Sequence, residues 1–282
     1  PALFDHDNRG KRSVAVDVGI PAGREVMERL LEQADVFVTN IRPGGLARAG
    51  LDPDTVLARH PSLVYAVATG YGHTGPGADK AGYDIGAYWA RSGFAATVVG
   101  EGVEPPMPRP GMGDHVAGLA LLSAINAALF ERTRTGAGRL VSTSLMRTGT
   151  YVVSSDLSVH LAGQNHLPGR RRMIGNPLLG CYRSSDTKWF FLLGLQHERH
   201  WPKLCAAIGR PELADDPRFA TTPEVMRRQA DVLTILDNAF AEHTLDEWAE
   251  IFAEHDVWWD PVQSLDEVMH DPLLDDMGAV TT

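Results

Sequence analysis

Apolar positions with two different periods alternate along the first seventy residues of the chain. Residues 13–18 alternate apolar and polar positions, and residues 34–40 and 63–70 form near-continuous apolar runs, so we predict three strands there. Residues 21–33 carry apolar positions at helical spacing, and Asp52 before a proline is typical of a helix start. Strands and helices that alternate at this spacing predict an α/β fold with a parallel sheet.

The pattern continues through the middle of the chain and then changes. Residues 114–132 are the strongest helix prediction, residues 139–145 predict a strand, and a helix is expected over 146–162. Residues 163–180 are polar, basic and rich in turn formers, which predicts a linker. We therefore expect residues 1–162 to form one large α/β domain.

Beyond the predicted linker, most of the apolar positions follow a helical period. Residues 188–195 predict a strand, and three amphipathic helices are expected over 197–209, 222–243 and 244–255. This predicts a smaller, mainly helical α+β domain over residues 181–282.

Composition and charge narrow the function classes. Of the 282 residues, 44% are hydrophobic, which is ordinary for a globular protein, and a net charge of −10 argues against a nucleic-acid partner. Cys181 and Cys205 make no disulfide framework, so we expect the reducing cytoplasm. The most apolar run, Val116–Phe130, is too short to span a bilayer, so we expect no membrane partner.

Two motifs resemble known sites but lack part of the required pattern. Gly70–Gly75 reads G-Y-G-H-T-G and matches the dinucleotide fingerprint, yet Pro76 and Gly77 follow where a helix must start, so we predict a flexible loop. His197 and His200 are three residues apart, whereas the zinc-protease pattern needs four. We therefore interpret them as part of a solvated helix start and predict no metal.

Asp114 allows two interpretations from the residues alone. It stands where the long apolar helix is predicted to begin, and aspartate is a good helix N-cap. The same amides and helix dipole would keep a carboxylate ionised, and Gly111 and Gly113 leave the approach to it open. An ionised carboxylate beside an activated acyl group is also a competent nucleophile.

Several stretches together resemble the class III CoA-transferases, the family of formyl-CoA transferase that also contains α-methylacyl-CoA racemase. They are NRGKRSVAVDV, ADVFVTNIRPGGLARAGLD, LVYAVATGYGHTGPGADKAGYD, MGDHVAG and ERTRTGAGRLVSTSL. The resemblance implies a Rossmann-like large domain, a smaller domain and a homodimer of two chains threaded as interlocked rings. It also implies a further βα unit ahead of the first strand, which we expect to be missing here.

The resemblance further implies the transfer of CoA from an acyl-CoA donor to a carboxylic acid acceptor, with Asp114 as the catalytic residue. CoA-binding residues carry over as Lys11 and Arg12 near the nucleotide phosphates, Asn40, Ile41, Arg42 and Arg48 in a loop around CoA, and Tyr83 near the pantetheine end. From the residues alone, ordinary surface charge is the favoured explanation of the four basic side chains among these.

Two alternatives stay open beside the transferase interpretation. In the racemase branch a histidine stands at the position of Tyr83, and a tyrosine of ordinary pKa near 10 is a poor base at neutral pH, which favours a transferase. The chain is alternatively a non-catalytic CoA-binding or dimerisation module.

Overall fold

The computed structural model describes residues 2–100, 102–164 and 175–278. The chain forms two compact units, Pro1–Pro168 and Gly169–Thr282. Residues 165–174 of the predicted linker lie outside the described residues, and the predicted domain boundaries stay predictions.

The elements of the first unit follow one another in a mixed α/β order. They are α1 (Ala2–Asp7), α2 (Pro21–Gln33), β1 (Val36–Thr39), α3 (Pro43–Ala49), α4 (Pro53–Arg59), β2 (Val64–Thr69), a π-helical segment (Ile85–Ala90), α5 (Phe94–Thr97), α6 (Met112–Thr135), β3 (Leu140–Ser144), α7 (Leu145–Val152) and α8 (Ser154–Leu161).

A parallel three-stranded sheet in the order β1-β2-β3 organises this unit. Val36 pairs with Val64, and Tyr65 pairs with Leu140. The central strand β2 has its first four residues buried, as the continuous apolar run predicts for a strand covered on both faces. The predicted parallel α/β sheet is therefore confirmed.

The predicted strand over residues 13–18 is wrong. In the structure this segment has no ladder partner among the described residues, and Val14 is exposed. Val18 packs instead against the core that contains Leu31, and Val16 lies against Gly23 of α2. The alternating pattern thus reflects packing on a helix, because alternation by itself does not provide a hydrogen-bonding partner.

Two helix predictions also change. Helix α3 was not predicted, although Pro43 at its first turn and left-handed Gly50 at its end are typical helix signals. The single helix expected over 146–162 is divided at Val153 into α7 and α8. Asp52 does cap α4, because its Oδ1 accepts a hydrogen bond from the Thr55 N–H at 3.0 Å.

Helix α6 is longer than the sequence predicts and spans 24 residues. By length and composition it is long and apolar enough to cross a membrane, so the length argument against a membrane partner does not apply to it. The helix packs against β2 and β3 and buries Ala117 and Leu121, while Leu119, Leu122 and Phe130 on it are exposed. Absence of a membrane partner stays a prediction.

The second unit combines an antiparallel sheet with helices. Its elements are β4 (Cys181–Arg183), β5 (Trp189–Leu192), α9 (His197–Ala207), α10 (Thr222–Arg227), α11 (Gln229–Phe240), α12 (Leu245–Glu254), β6 (Trp259–Pro261), α13 (Leu265–Met269) and α14 (Pro272–Asp276), with short 3₁₀ turns at Pro211–Leu213 and Pro217–Phe219. The strands pair in the order β4-β5-β6. A capping box formed by Thr244 and Glu247 starts α12.

Candidate active site

A cavity of 630 Å³ opens at the carboxyl ends of the three parallel strands. This edge is where ligands bind in open α/β sheets. The cavity is lined by side chains that follow β1 and β2, by the loop before the π-helical segment and by the starts of α6 and α7: Asn40, Arg42, Thr69, Gly70, Lys80, Tyr83, Asp114, Ala117, Leu121 and Leu145. The sheet thus brings together residues that are far apart in the sequence.

Asp114 lies in the first turn of α6 and does not cap it. The N-cap position belongs to Gly111, which has a left-handed backbone at φ 77° and, as a glycine, has no side chain of its own to cap the helix. The N-cap interpretation of Asp114 is therefore wrong. The helix begins two residues before Asp114, so this carboxylate faces the cavity without a capping role.

Electrostatics make Asp114 more basic than an ordinary aspartate. Although the residue is exposed to the cavity, desolvation by the surrounding protein raises its pKa, the charges of Asp84 and Asp7 raise it further, and His115 opposes the shift. A carboxylate of raised pKa is, in its ionised form, a stronger nucleophile than an ordinary aspartate. His115 itself is turned away, with its Nε2 3.2 Å from Asp7 Oδ1.

Most of the predicted CoA-binding residues line one of two cavities. Asn40, Arg42 and Tyr83 line the cavity together with Asp114. Ile41, Arg42 and Arg48 line a second cavity of 400 Å³, so Arg42 borders both.

Lys11 and Arg12 line neither of these two cavities in the described part of the chain. Lys11 instead donates a hydrogen bond through Nζ to the Asp7 carbonyl oxygen. The structure therefore does not bring this basic pair to the predicted CoA site.

The loop at residues 70–83 is shaped by glycines. No helix follows Gly75, which confirms the loop interpretation of the fingerprint. A Cβ on Gly70 would lie 3.0 Å from the Gly82 Cα, and a Cβ on Gly82 would lie 2.8 Å from the Tyr71 ring. The loop therefore folds back on itself around Tyr71, which requires residues without side chains at both crossing points.

Sequence reasoning missed Lys80. Its Nζ lies 4.7 Å from the centre of the Tyr71 ring, and the residue lines the cavity that contains Asp114. The available signal was a lone cation in the polar stretch after the glycine-rich loop. Lys80 adds a second positive charge, beside Arg42, to a cavity in an acidic protein.

His197 and His200 are not solvated, which corrects the sequence interpretation. Both are buried in α9, where His197 stacks on Trp201 and burial lowers the pKa of both imidazoles. In the described residues, the potential metal ligands that come together are His6, Asp7 and His115, whose ligand atoms lie within 4.8 Å of one another. All three are exposed.

Comparison with known proteins assigns the family. The model of CoA-transferase family III matches residues 1–282, and the chain belongs to that family. The (R)-2-hydroxy-4-methylpentanoate CoA-transferase of Clostridioides difficile is 33% identical over 95% of this chain and 67% of its own length. The α-methylacyl-CoA racemase of Homo sapiens is 32% identical over 97% of this chain and 71% of its own.

Solved structures agree with this assignment. A CAIB/BAIF family protein from Brucella suis has a TM-score of 0.84 and 30% identity, and the match covers 98% of this chain and 73% of that chain.

A further curated relative is the cinnamoyl-CoA:phenyllactate CoA-transferase of Clostridium sporogenes, which is 30% identical over 95% of this chain and 66% of its own length. The chain spans about two thirds of the length of these curated relatives.

Proposed function

We propose that this chain acts as a CoA-transferase with Asp114 as the covalent nucleophile. One observation carries the proposal. The carboxylate of Asp114, which does not cap the helix and has a raised pKa, lines a 630 Å³ cavity together with the cations Arg42 and Lys80. Membership of CoA-transferase family III supports acyl-CoA and a carboxylic acid as the two substrates. The names of two relatives point to 2-hydroxy acids as one substrate class to test.

The first half-reaction transfers CoA to the enzyme. An oxygen of Asp114 attacks the thioester carbonyl of the donor, the C–S bond breaks, and an aspartyl–acyl anhydride and CoA thiolate form. The thiolate then attacks Cγ of Asp114 in the anhydride, which gives an aspartyl-CoA thioester and releases the donor acid as its carboxylate. Cations and main-chain N–H groups around the cavity stabilise the oxyanions.

The second half-reaction runs through the same bonds in reverse order. The acceptor carboxylate attacks the aspartyl-CoA thioester, the C–S bond breaks, and a second anhydride and CoA thiolate form. The thiolate attacks the acyl carbon of the acceptor, which becomes the new acyl-CoA, and Asp114 returns as a free carboxylate. Each oxygen and electron pair is accounted for without a metal or redox partner.

Binding of CoA is assigned to both cavities as part of the same proposal. Arg42 borders the two, and Arg48 and Ile41 line the second, which supports a path for the phosphates away from Asp114. Tyr83 is 85% exposed, as suits a side chain that covers the pantetheine arm. Lys11 and Arg12 remain proposed phosphate contacts only by resemblance.

A homodimer is the proposed assembly, and the Rossmann-like large domain with interlocked chains is its proposed architecture. Apolar side chains are exposed along one stretch of the first unit: Leu119, Leu122, Phe130, Tyr151, Val152, Leu157 and Leu161. Large apolar side chains exposed in this number are expected where another protein binds, and in a symmetric homodimer a second copy presents the same residues. A cytoplasmic location is also proposed, because two cysteines in 282 residues are too few for the disulfide framework of a small secreted protein.

Covalent labelling tests the transferase. Incubation with a donor acyl-CoA should leave a hydroxylamine-sensitive mass shift on the peptide that contains Asp114, and Asp114→Asn should lack it. A panel of acyl-CoAs, including 2-hydroxyacyl-CoAs, ranks the donors by adduct yield.

The racemase stays a second candidate because of the human relative. A racemase exchanges the α-proton of an acyl-CoA for solvent deuterium in the absence of any acceptor acid, whereas a transferase requires the acceptor. Exchange without a covalent adduct would replace the transferase by the racemase, and retention of CoA with neither activity would leave a binding module.

A further inference from the structure

Asp84 is a buried carboxylate directly after the cavity residue Tyr83. Its side chain is 8% exposed, and its Oδ1 accepts a hydrogen bond from the Gly113 N–H at 3.0 Å. Gly113 is the residue immediately before Asp114. Asp84 thus contacts the main chain from which the proposed nucleophile projects.

The contact depends on Gly113 having no side chain. A Cβ at this position would lie 2.2 Å from Asp84 Oδ1 and 2.3 Å from Cγ of Tyr88. Both distances are too short for any real Cβ, so a larger residue would push the first turn of α6 away from Asp84. The close approach therefore holds the start of α6 against the π-helical segment Ile85–Ala90.

The hydrogen bond from Gly113 to Asp84 also satisfies a main-chain amide at the start of α6. The first amides of a helix have no partner within the helix, and a capping side chain commonly satisfies one of them. Gly111 at the N-cap has no side chain to do so. Asp84 supplies the acceptor from 29 positions away in the sequence, which leaves Asp114 free for the cavity.

The second oxygen of Asp84 is unusual. Oδ2 is buried and has no hydrogen-bond partner. Among the described residues, no other buried side-chain nitrogen or oxygen lacks a partner in this way. A buried carboxylate oxygen without a hydrogen bond destabilises a fold. A chain that retains one is therefore expected to use the charge or the position of that carboxylate. Desolvation is the largest cause of the raised pKa of Asp114, and the charge of Asp84 raises this pKa further.

We propose that Asp84 is a positioning residue for Asp114: through the Gly113 amide it fixes the first turn of α6 and aims the Asp114 carboxylate into the cavity. This inference rests on the proposed role of Asp114 as nucleophile. It adds a residue that acts on the reaction without touching the acyl group.

Three variants separate positioning from plain stabilisation. Asp84→Asn keeps an acceptor oxygen for Gly113 and removes the charge, whereas Asp84→Ala removes both. The matched control is Asp52→Ala, which removes a carboxylate that also accepts a main-chain N–H at 3.0 Å but lies in the cap of α4. Single-turnover formation of the Asp114 adduct is measured from about pH 4 to 8, well below each variant's melting temperature.

We expect Asp84→Ala to form the adduct at least about 100-fold more slowly than the wild type, because a small misplacement of a reacting group has that effect. Asp84→Asn should stay within about tenfold of the wild type by the same argument, with the acid limb of its rate profile at lower pH. Asp52→Ala should melt earlier and label at the wild-type rate. Labelling of Asp84→Ala at the wild-type rate would overturn the inference.

Hydrogen exchange gives a readout that needs no substrate. The Gly113 amide should exchange faster in Asp84→Ala than in Asp84→Asn, and equal exchange in the two overturns the positioning role even where folding is intact. Failure of the wild type itself to form an adduct removes the proposed function instead. In that case the exchange measurement still decides whether Asp84 holds the start of α6.

Discussion

The two units of the chain differ in how they use their buried residues. In the second unit the core is dense and aromatic, with Phe240 in ring contact with Tyr182, Phe190, Trp248 and Phe252. In the first unit the strand ends open into a cavity that contains the charged side chains of Arg42, Lys80 and Asp114, and a buried carboxylate oxygen of Asp84 is left unpaired. Chemistry is concentrated where packing is incomplete, because a reacting group needs access and charge that a closed aromatic core excludes.

The largest expected effect is the loss of transfer in Asp114→Asn, by about a thousandfold or more, because the amide cannot attack a thioester. Stability should change in the opposite direction. A folded-state pKa above the unfolded one means that ionised Asp114 destabilises the fold as pH rises through that pKa, so the neutral amide should stabilise at pH 7. Steady-state kinetics and urea unfolding at pH 7 measure the two effects, and a large stability loss would contradict the assigned environment.

Next is Phe240→Ala in the second unit. Removal of a fully buried ring that contacts four others should lower the free energy of unfolding by about 3–5 kcal/mol. Leu265→Ala is the control, since that side chain is 80% exposed and its loss should change stability by less than about 0.5 kcal/mol. Denaturant unfolding followed by tryptophan fluorescence checks both, and equal effects would mean that this core is not the main source of stability.

Arg42→Ala should weaken acyl-CoA binding by about 10- to 100-fold through the loss of a charged hydrogen-bond donor. Its guanidinium also donates to the Asp79 carbonyl at 3.1 Å, so a modest stability loss accompanies the change. Arg29→Ala, which removes an exposed Arg29–Glu25 pair, is the control. Isothermal titration with CoA measures the affinity, and an unchanged affinity would exclude Arg42 from the binding site.

The smallest effect is a pH dependence of the second unit. Burial lowers the pKa of His197 and His200 in the folded state, so the unfolded chain binds more protons below its pKa of about 6.5. Stability should therefore be highest above pH 6.5 and decrease as the pH falls through that value. The double variant His197→Phe/His200→Phe should have a flatter profile of unfolding free energy between pH 5 and 7.5, and an equally steep one would contradict this assignment.

Local patterns predicted much of the first unit correctly. The strands at 34–40, 63–70 and 139–145 and the helix at 21–33 all occur, because their apolar periods match the burial that the fold provides. The strand at 13–18 failed for a reason that no local pattern contains: a strand needs a neighbour, and this segment packs on α2 instead.

The structure brings some of the predicted site residues together, and their roles stay predictions. Asp114, Asn40, Arg42 and Tyr83 do line one cavity, and the resemblance to a family rather than the residue pattern pointed to them. Lys80 gave too weak a local signal, and the N-cap position, which was one of two interpretations of Asp114, is occupied by Gly111. The shift of two residues in the helix start is enough to turn an apparent cap into a free carboxylate.

The sequence by itself determined the alternation of elements, the family, and an aspartate at the start of a long helix. These features can be read along the chain from the period of its apolar positions and from the order of its motifs. Only the tertiary structure decided which strands pair, which carboxylate faces the cavity and which one is buried against Gly113. Pairing, burial and pKa depend on atoms that lie far apart in the chain, such as Asp84 and Gly113, and close together in space.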